Sequence, residues 1–128
     1  MKKPTINISI IKEDVGYSAT CTIQKKFIGT QGDNYTELQE NIVEAVNLAF
    51  EEEGFVYIFS EIILNYDMNS FFEFFKVINA KALSERIGIN QSLLAQYIKG
   101  HKKPSSTQKK RILTGVQELG RELASVQF

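Results

Sequence analysis

Between Leu83 and Ser105 the chain reads LSERIGINQSLLAQYIKGHKKPS, and the helical spacing of its apolar residues is broken once, at Gly88-Ile89-Asn90. Glycine tolerates positive φ, an isoleucine there can plug the space between helices, and asparagine is a preferred N-cap. The stretch therefore cannot form one continuous helix or a strand. It predicts two short helices across a three-residue turn, AKALSERI capped by Asn79 and QSLLAQYIK capped by Asn90, the second stopping at Gly100.

On the second of these helices Leu94 and Tyr97 face inward, which leaves Gln91, Ser92, Ala95, Gln96 and Lys99 outward. Amide side chains near a helix N-terminus match the donor and acceptor pattern of adenine in a major groove, so Gln91, Ser92, Ala95 and Gln96 read as base contacts. Lys99, His101, Lys102, Lys103, Ser106, Lys109, Lys110 and Arg111 read as phosphate contacts, with Ser105 or Ser106 capping a further helix. Basic residues beside a helical pair are often merely solvated. Turn glycine, hydrophilic outward face and downstream basic helix together match a DNA-binding helix-turn-helix.

Charge reverses along the chain, although the total is zero. Residues 1–69 carry five lysines against eleven acids, a net of −6, and residues 70–128 carry ten Lys and Arg against four acids, a net of +6. Such asymmetry implies two modules with different partners, the basic one suited to a polyanion. The joint falls near residue 68, where Ser70 and Glu73 have the spacing of a capping box opening a new helix. Domains over 1–68 and 69–128 are expected, the second all-α, with Phe71, Phe72, Phe74, Phe75 and Ile78 contributing to its core.

The first domain reads β-β-β-α-β. Ile6, Ile8 and Ile10 alternate with polar residues, as do Tyr17, Ala19, Cys21 and Ile23, and Asp14 and Gly16 supply the turn of an antiparallel hairpin. KFIGTQ predicts a third strand. Leu38, Ile42, Ala45, Val46, Ala49 and Phe50 form one helical stripe, with Asn34 as N-cap and Gly54 just past the C-terminus. FVYIFSEIILNY is apolar, β-branched and aromatic enough to predict a buried strand.

Metal and cofactor chemistry are not expected from a chain with one cysteine, Cys21, and one histidine, His101. Carboxylates do not converge: Asp14 sits in a turn, Asp33 precedes the helix, and Glu37, Glu40 and Glu44 occupy the polar face of that helix. A non-enzymatic protein is expected. No run of eighteen apolar residues occurs and MKKPTINISI lacks the features of a signal peptide, so the expected location is cytoplasmic.

Leu83, Ser84, Gly88-Ile89-Asn90, Gly100 and Lys102-Lys103-Pro104-Ser105 resemble the helix-turn-helix of the Xre/Cro repressor family, with Asn90 where serine is common and Ile98 where an acid is usual. GYSATCTI and TQGDNYTELQENIVEAVNLAFEE resemble the HicB antitoxins of bacterial type II toxin–antitoxin systems, without the proline-rich segment often found between the strands. The resemblance implies a degenerate RNase H-like fold in the first domain, a small basic HicA-type toxin that cleaves mRNA as its partner, and repression of the operon by the second domain. An acidic domain is steered to the basic surface of such a toxin, which makes Glu37, Glu40, Glu44, Glu51, Glu52 and Glu53 the candidate toxin contacts. Paired half-sites imply at least a homodimer on operator DNA. A stand-alone regulator with a ligand-binding or dimerisation domain, and an RNA-binding or nuclease protein, are the alternatives from other classes.

Overall fold

A computed structural model describes residues 2–128. Over them the chain is mixed α+β, with one four-stranded sheet and five α-helices, and it divides into two compact units, residues 1–70 and 71–128.

In the first unit β1 (Ile6–Lys12), β2 (Tyr17–Ile23) and β3 (Lys26–Gly32) form an antiparallel meander. Helix α1 (Tyr35–Ala49) then covers one face, and β4 (Ile62–Tyr66) returns parallel to β1, giving the order β3-β2-β1-β4. The period-2 pattern sets the faces: Ile6, Ile8, Ile10, Ala19 and Ile28 are buried, as are Leu38, Ile42 and Val46 of α1. Each of these isoleucine, leucine and valine side chains contributes about 1.5–3 kcal/mol of burial free energy. Cys21 pairs with Ile28 on this face and is half-buried, which pushes its thiol pKa up.

Asn34 caps α1 by accepting from the Glu37 N–H at 3.0 Å. The helix ends well short of Gly54, at Ala49. Phe50 is drawn fully into the core against Phe55 and Tyr57, at ring separations of 6.2 and 5.8 Å, and turns the chain before the glycine is reached.

The buried strand expected across FVYIFSEIILNY is confined to its second half. Residues 55–58 form no strand and are not part of the sheet; Phe59–Glu61 is a 3-10 turn, and β4 begins at Ile62. The reason lies in where the backbone groups go. Asn47 on α1 accepts from the Tyr57 N–H at 2.7 Å and donates to the Tyr57 carbonyl at 3.1 Å, taking the place of a neighbouring strand. Tyr57 is buried while Val56 and Ile58 point outward.

Helix α2 (Met68–Phe74) also starts differently from the expected Ser70 capping box. Asp67 accepts from the Ser70 N–H at 2.6 Å and acts as the N-cap. The Ser70 hydroxyl is buried and instead accepts from the Lys12 N–H at 2.9 Å, satisfying the end of β1. In the second unit the rings of Phe71, Phe72, Phe74 and Phe75 pack at 5.0–5.2 Å, with Phe72 buried.

The two-residue turn from β2 to β3 places Gln24 (φ 51°) and Lys25 (φ 66°) in the left-handed region. Positive φ at both central positions is the type I′ requirement, which Asn-Gly meets at little cost and Gln-Lys does not. Left-handed geometry costs an ordinary residue roughly 1–2 kcal/mol. The double substitution Gln24→Asn, Lys25→Gly is therefore expected to raise stability by about 1 kcal/mol, read as a higher urea midpoint at unchanged slope.

Candidate nucleic-acid interface

Helices α3 (Ala80–Ile87), α4 (Gln91–Lys99) and α5 (Ser106–Ala124) complete the second unit. Asn79 caps α3 by accepting from the Ala82 N–H at 3.0 Å. The helix closes at Gly88 (φ 75°), after which the Ile89 N–H returns to the Ser84 carbonyl at 3.0 Å and the Ile89 side chain is buried. Asn90 then accepts from the Ser92 and Leu93 N–H groups, at 2.8 and 3.3 Å. Both ends of the three-residue turn are thus held by local hydrogen bonds, which fixes where α4 starts.

Leu94 and Tyr97 of α4 are buried. Gln91, Ser92 and Lys99 are exposed, and Ala95 and Gln96 are half-exposed. At Gly100 (φ 80°) the chain reverses so that His101 and Lys102 donate their N–H groups to the Gln96 carbonyl, at 2.9 and 3.3 Å. The exposed side chains of His101, Lys102 and Lys103 are therefore anchored by backbone to the helix that carries Gln96. Ser105, not Ser106, caps α5, accepting from the Gln108 N–H at 3.2 Å. Ser106, Lys109 and Lys110 are exposed in its first turns.

Arg111, grouped from sequence with the phosphate contacts, has its guanidinium engaged inside the unit. It donates to the Ile87 and Gly88 carbonyls at 2.8 and 3.0 Å, and to the Gln108 side chain at 3.2 Å. Those two carbonyls lie at the C-terminal end of α3, where the helix dipole favours a cation. Sequence reasoning missed this clamp, because its partners are backbone oxygens 23 and 24 residues away. It also missed Gly115, which is buried where α5 passes α3; a Cβ there would overlap Cγ2 of Ile87. Gly120, in the same helix, faces open space, so a helical glycine alone does not mark the contact. Arg86 on α3 pairs with Glu122 on α5. Alongside, an open depression of about 430 Å³ is bordered by Arg86, Lys110 and Arg111, with Thr107 and Thr114.

In the first unit, Glu37, Glu40 and Glu44 are exposed on the face of α1 opposite Leu38, Ile42 and Val46, and Glu51 and Glu52 are exposed in the turns that follow. Glu53 stands apart from them. It is half-buried and pairs with Lys26 at 3.0 Å, a hydrogen bond that lowers its carboxyl pKa. Among the described residues no three His, Cys, Asp or Glu side chains are placed to share a metal ion, and no helix is long and apolar enough to cross a membrane.

The α3–α5 contact makes a specific demand. Alanine is about 1 kcal/mol better than glycine in a helix interior, yet Gly115→Ala is expected to destabilise by about 1–3 kcal/mol through overpacking against Ile87. In an Ile87→Ala background the same change is expected to be neutral or stabilising, which thermal melts of the four-member cycle would check.

Neither a family model, nor a curated protein, nor a solved structure matches this chain.

Proposed function

We propose that the chain is a two-module antitoxin and autorepressor. Its acidic unit binds and neutralises a small basic mRNA-cleaving toxin of HicA type, and its basic unit binds operator DNA as a helix-turn-helix. The protein is not an enzyme in this reading. It acts in the cytoplasm, as a homodimer or higher oligomer on paired half-sites.

The observation that carries the proposal is the construction of α4. An Asn90-capped helix presents Gln91, Ser92 and Gln96 outward, and the backbone of the basic segment His101–Lys103 is tied to the Gln96 carbonyl. Base-edge donors and phosphate-binding cations are thereby held in one rigid relation, as reading a duplex requires. Arg111 supports the turn in this account instead of touching phosphate, leaving Lys99, His101, Lys102, Lys103, Lys109 and Lys110 as the phosphate contacts.

For the acidic unit, support comes from topology and charge. A meander with a parallel return strand beside β1 and one covering helix is consistent with a reduced RNase H-like sheet. A net charge of −6 steers the unit toward a protein whose own surface must attract RNA.

Gln96→Ala separates the two roles. It is expected to cost about 1–3 kcal/mol at the cognate site and little on random DNA, while growth rescue against the co-expressed toxin is unchanged. Lys102→Ala or Lys110→Ala is expected to weaken all DNA alike and to reduce the salt slope by about one unit. Equal loss on both DNAs for Gln96→Ala would remove α4 from base reading.

A further inference from the structure

Exposed apolar side chains of the acidic unit include Val15 and Phe27 as well as a set at the C-terminal end of α1 and in the segment after it. Leu48, Val56 and Ile58 are 63 %, 71 % and 61 % exposed. Leu48 and Val56 line an open groove of about 390 Å³ together with Phe55, Asn47, Glu44 and Glu51. This groove is built before any partner arrives. The paired hydrogen bonds between Asn47 and the Tyr57 backbone hold residues 55–58 beside the C-terminal turns of α1. Tyr57 is locked beneath it, its hydroxyl donating to the Pro4 carbonyl at 2.6 Å.

Its rim is anionic. Glu44 and Glu51 are exposed, and among the described residues neither has an ion-pair partner. Helix α1 has no basic residue in its last turn, so its carbonyl end adds to the negative potential there. Lys3, which donates to the Val56 carbonyl at 2.6 Å, is neutralised by Glu61 at 2.9 Å. Exposed leucine and valine between unpaired carboxylates gain nothing inside the chain, and they complement one kind of ligand.

We infer that this groove docks a cationic amphipathic segment of a partner protein, with an apolar side chain entering between Leu48 and Val56 and flanking lysine or arginine side chains reaching Glu44 and Glu51. An acidic or uncharged segment would bury its apolar residue equally well but meet repulsion or uncompensated carboxylates at the rim, and this selects the occupant. The inference rests on the acidic unit being the partner-binding module, but not on the partner being a ribonuclease.

The probe is a fluorescein-labelled leucine–lysine peptide of about 18 residues, long enough to hold a helix, titrated with the full-length chain by anisotropy. A leucine–glutamate peptide of the same pattern is the control. The lysine peptide is expected to bind and the glutamate peptide not to. Glu44→Lys with Glu51→Lys is expected to weaken binding about tenfold or more, and Leu48→Ser about fivefold. Asp14→Lys with Asp33→Lys, an equal charge reversal at exposed acids outside the groove, is expected to change it less than about twofold. Equal weakening by the two charge reversals would reduce the attraction to the bulk charge of the unit and overturn the groove. Self-association of the chain that Glu44→Lys with Glu51→Lys abolishes would assign the groove to a second copy and overturn it too. If the peptide behaves as expected but the chain neutralises no co-expressed ribonuclease, the groove stands and the antitoxin reading falls; neutralisation without groove-dependent peptide binding sinks the groove alone.

Discussion

The contact between Arg111 and the carbonyls of Ile87 and Gly88 ties α5 to the end of α3, where the turn into α4 begins. Gly88 is where α3 ends and the turn begins, so its two neighbouring carbonyls have no helical partners of their own. A guanidinium from α5 satisfies both, and Gly115 lets α5 come close enough for Ile87 to pack on it. With α3 fixed to α5 and Ile89 plugged beneath the turn, the direction of α4 follows, and with it the positions of Gln91, Ser92 and Gln96. The exposed face of α4 is thus tied to a cation whose guanidinium is spent on the turn before it.

Charge is divided with the same economy. Cations in the second unit are mostly long side chains on exposed positions, six of them between Lys99 and Arg111, whereas six of the eleven acids of the first unit lie on the outer face of α1 or directly past its C-terminus. Carboxylates at a helix C-terminus cost a few tenths of a kcal/mol each, and exposed apolar side chains beside them add no stability. Of the acids that follow α1 directly, Glu53 is paired within the chain, with Lys26. Two units with opposite charge and separately built surfaces are what a protein needs if it is to engage a basic protein and an acidic polymer.

Local chemistry made much of this legible in the sequence. The caps Asn34, Asn79 and Asn90 act on amide groups two or three residues away, and Gly88 and Gly100 act on their own φ, so each can be read without knowing the fold. Period-2 isoleucines placed β1, and the stripe from Leu38 to Val46 placed α1, because both elements bury one face only. What escaped depends on partners far along the chain. The apolar run after Gly54 resembles one strand, but only its second half is β4, and in its first half the Tyr57 backbone is bonded by the side chain of Asn47. Ser70 has capping-box spacing, but the Lys12 amide claims its hydroxyl. Arg111 looks like any other member of a basic run until α3 is seen beside it, and nothing in Gln24-Lys25 announces a type I′ turn.

The central claim is that α4 reads bases in the major groove, and the purine N7 atom tests it most directly. The site is first recovered by selecting random duplexes on the full-length chain; binding is then remeasured with 7-deaza purines in the half-site, and separately with inosine for guanine. The account predicts a loss of about 1–3 kcal/mol for each contacted N7 removed, and no change when only the minor-groove amino group of guanine is lost. Indifference to 7-deaza substitution, with sensitivity to inosine, would contradict it.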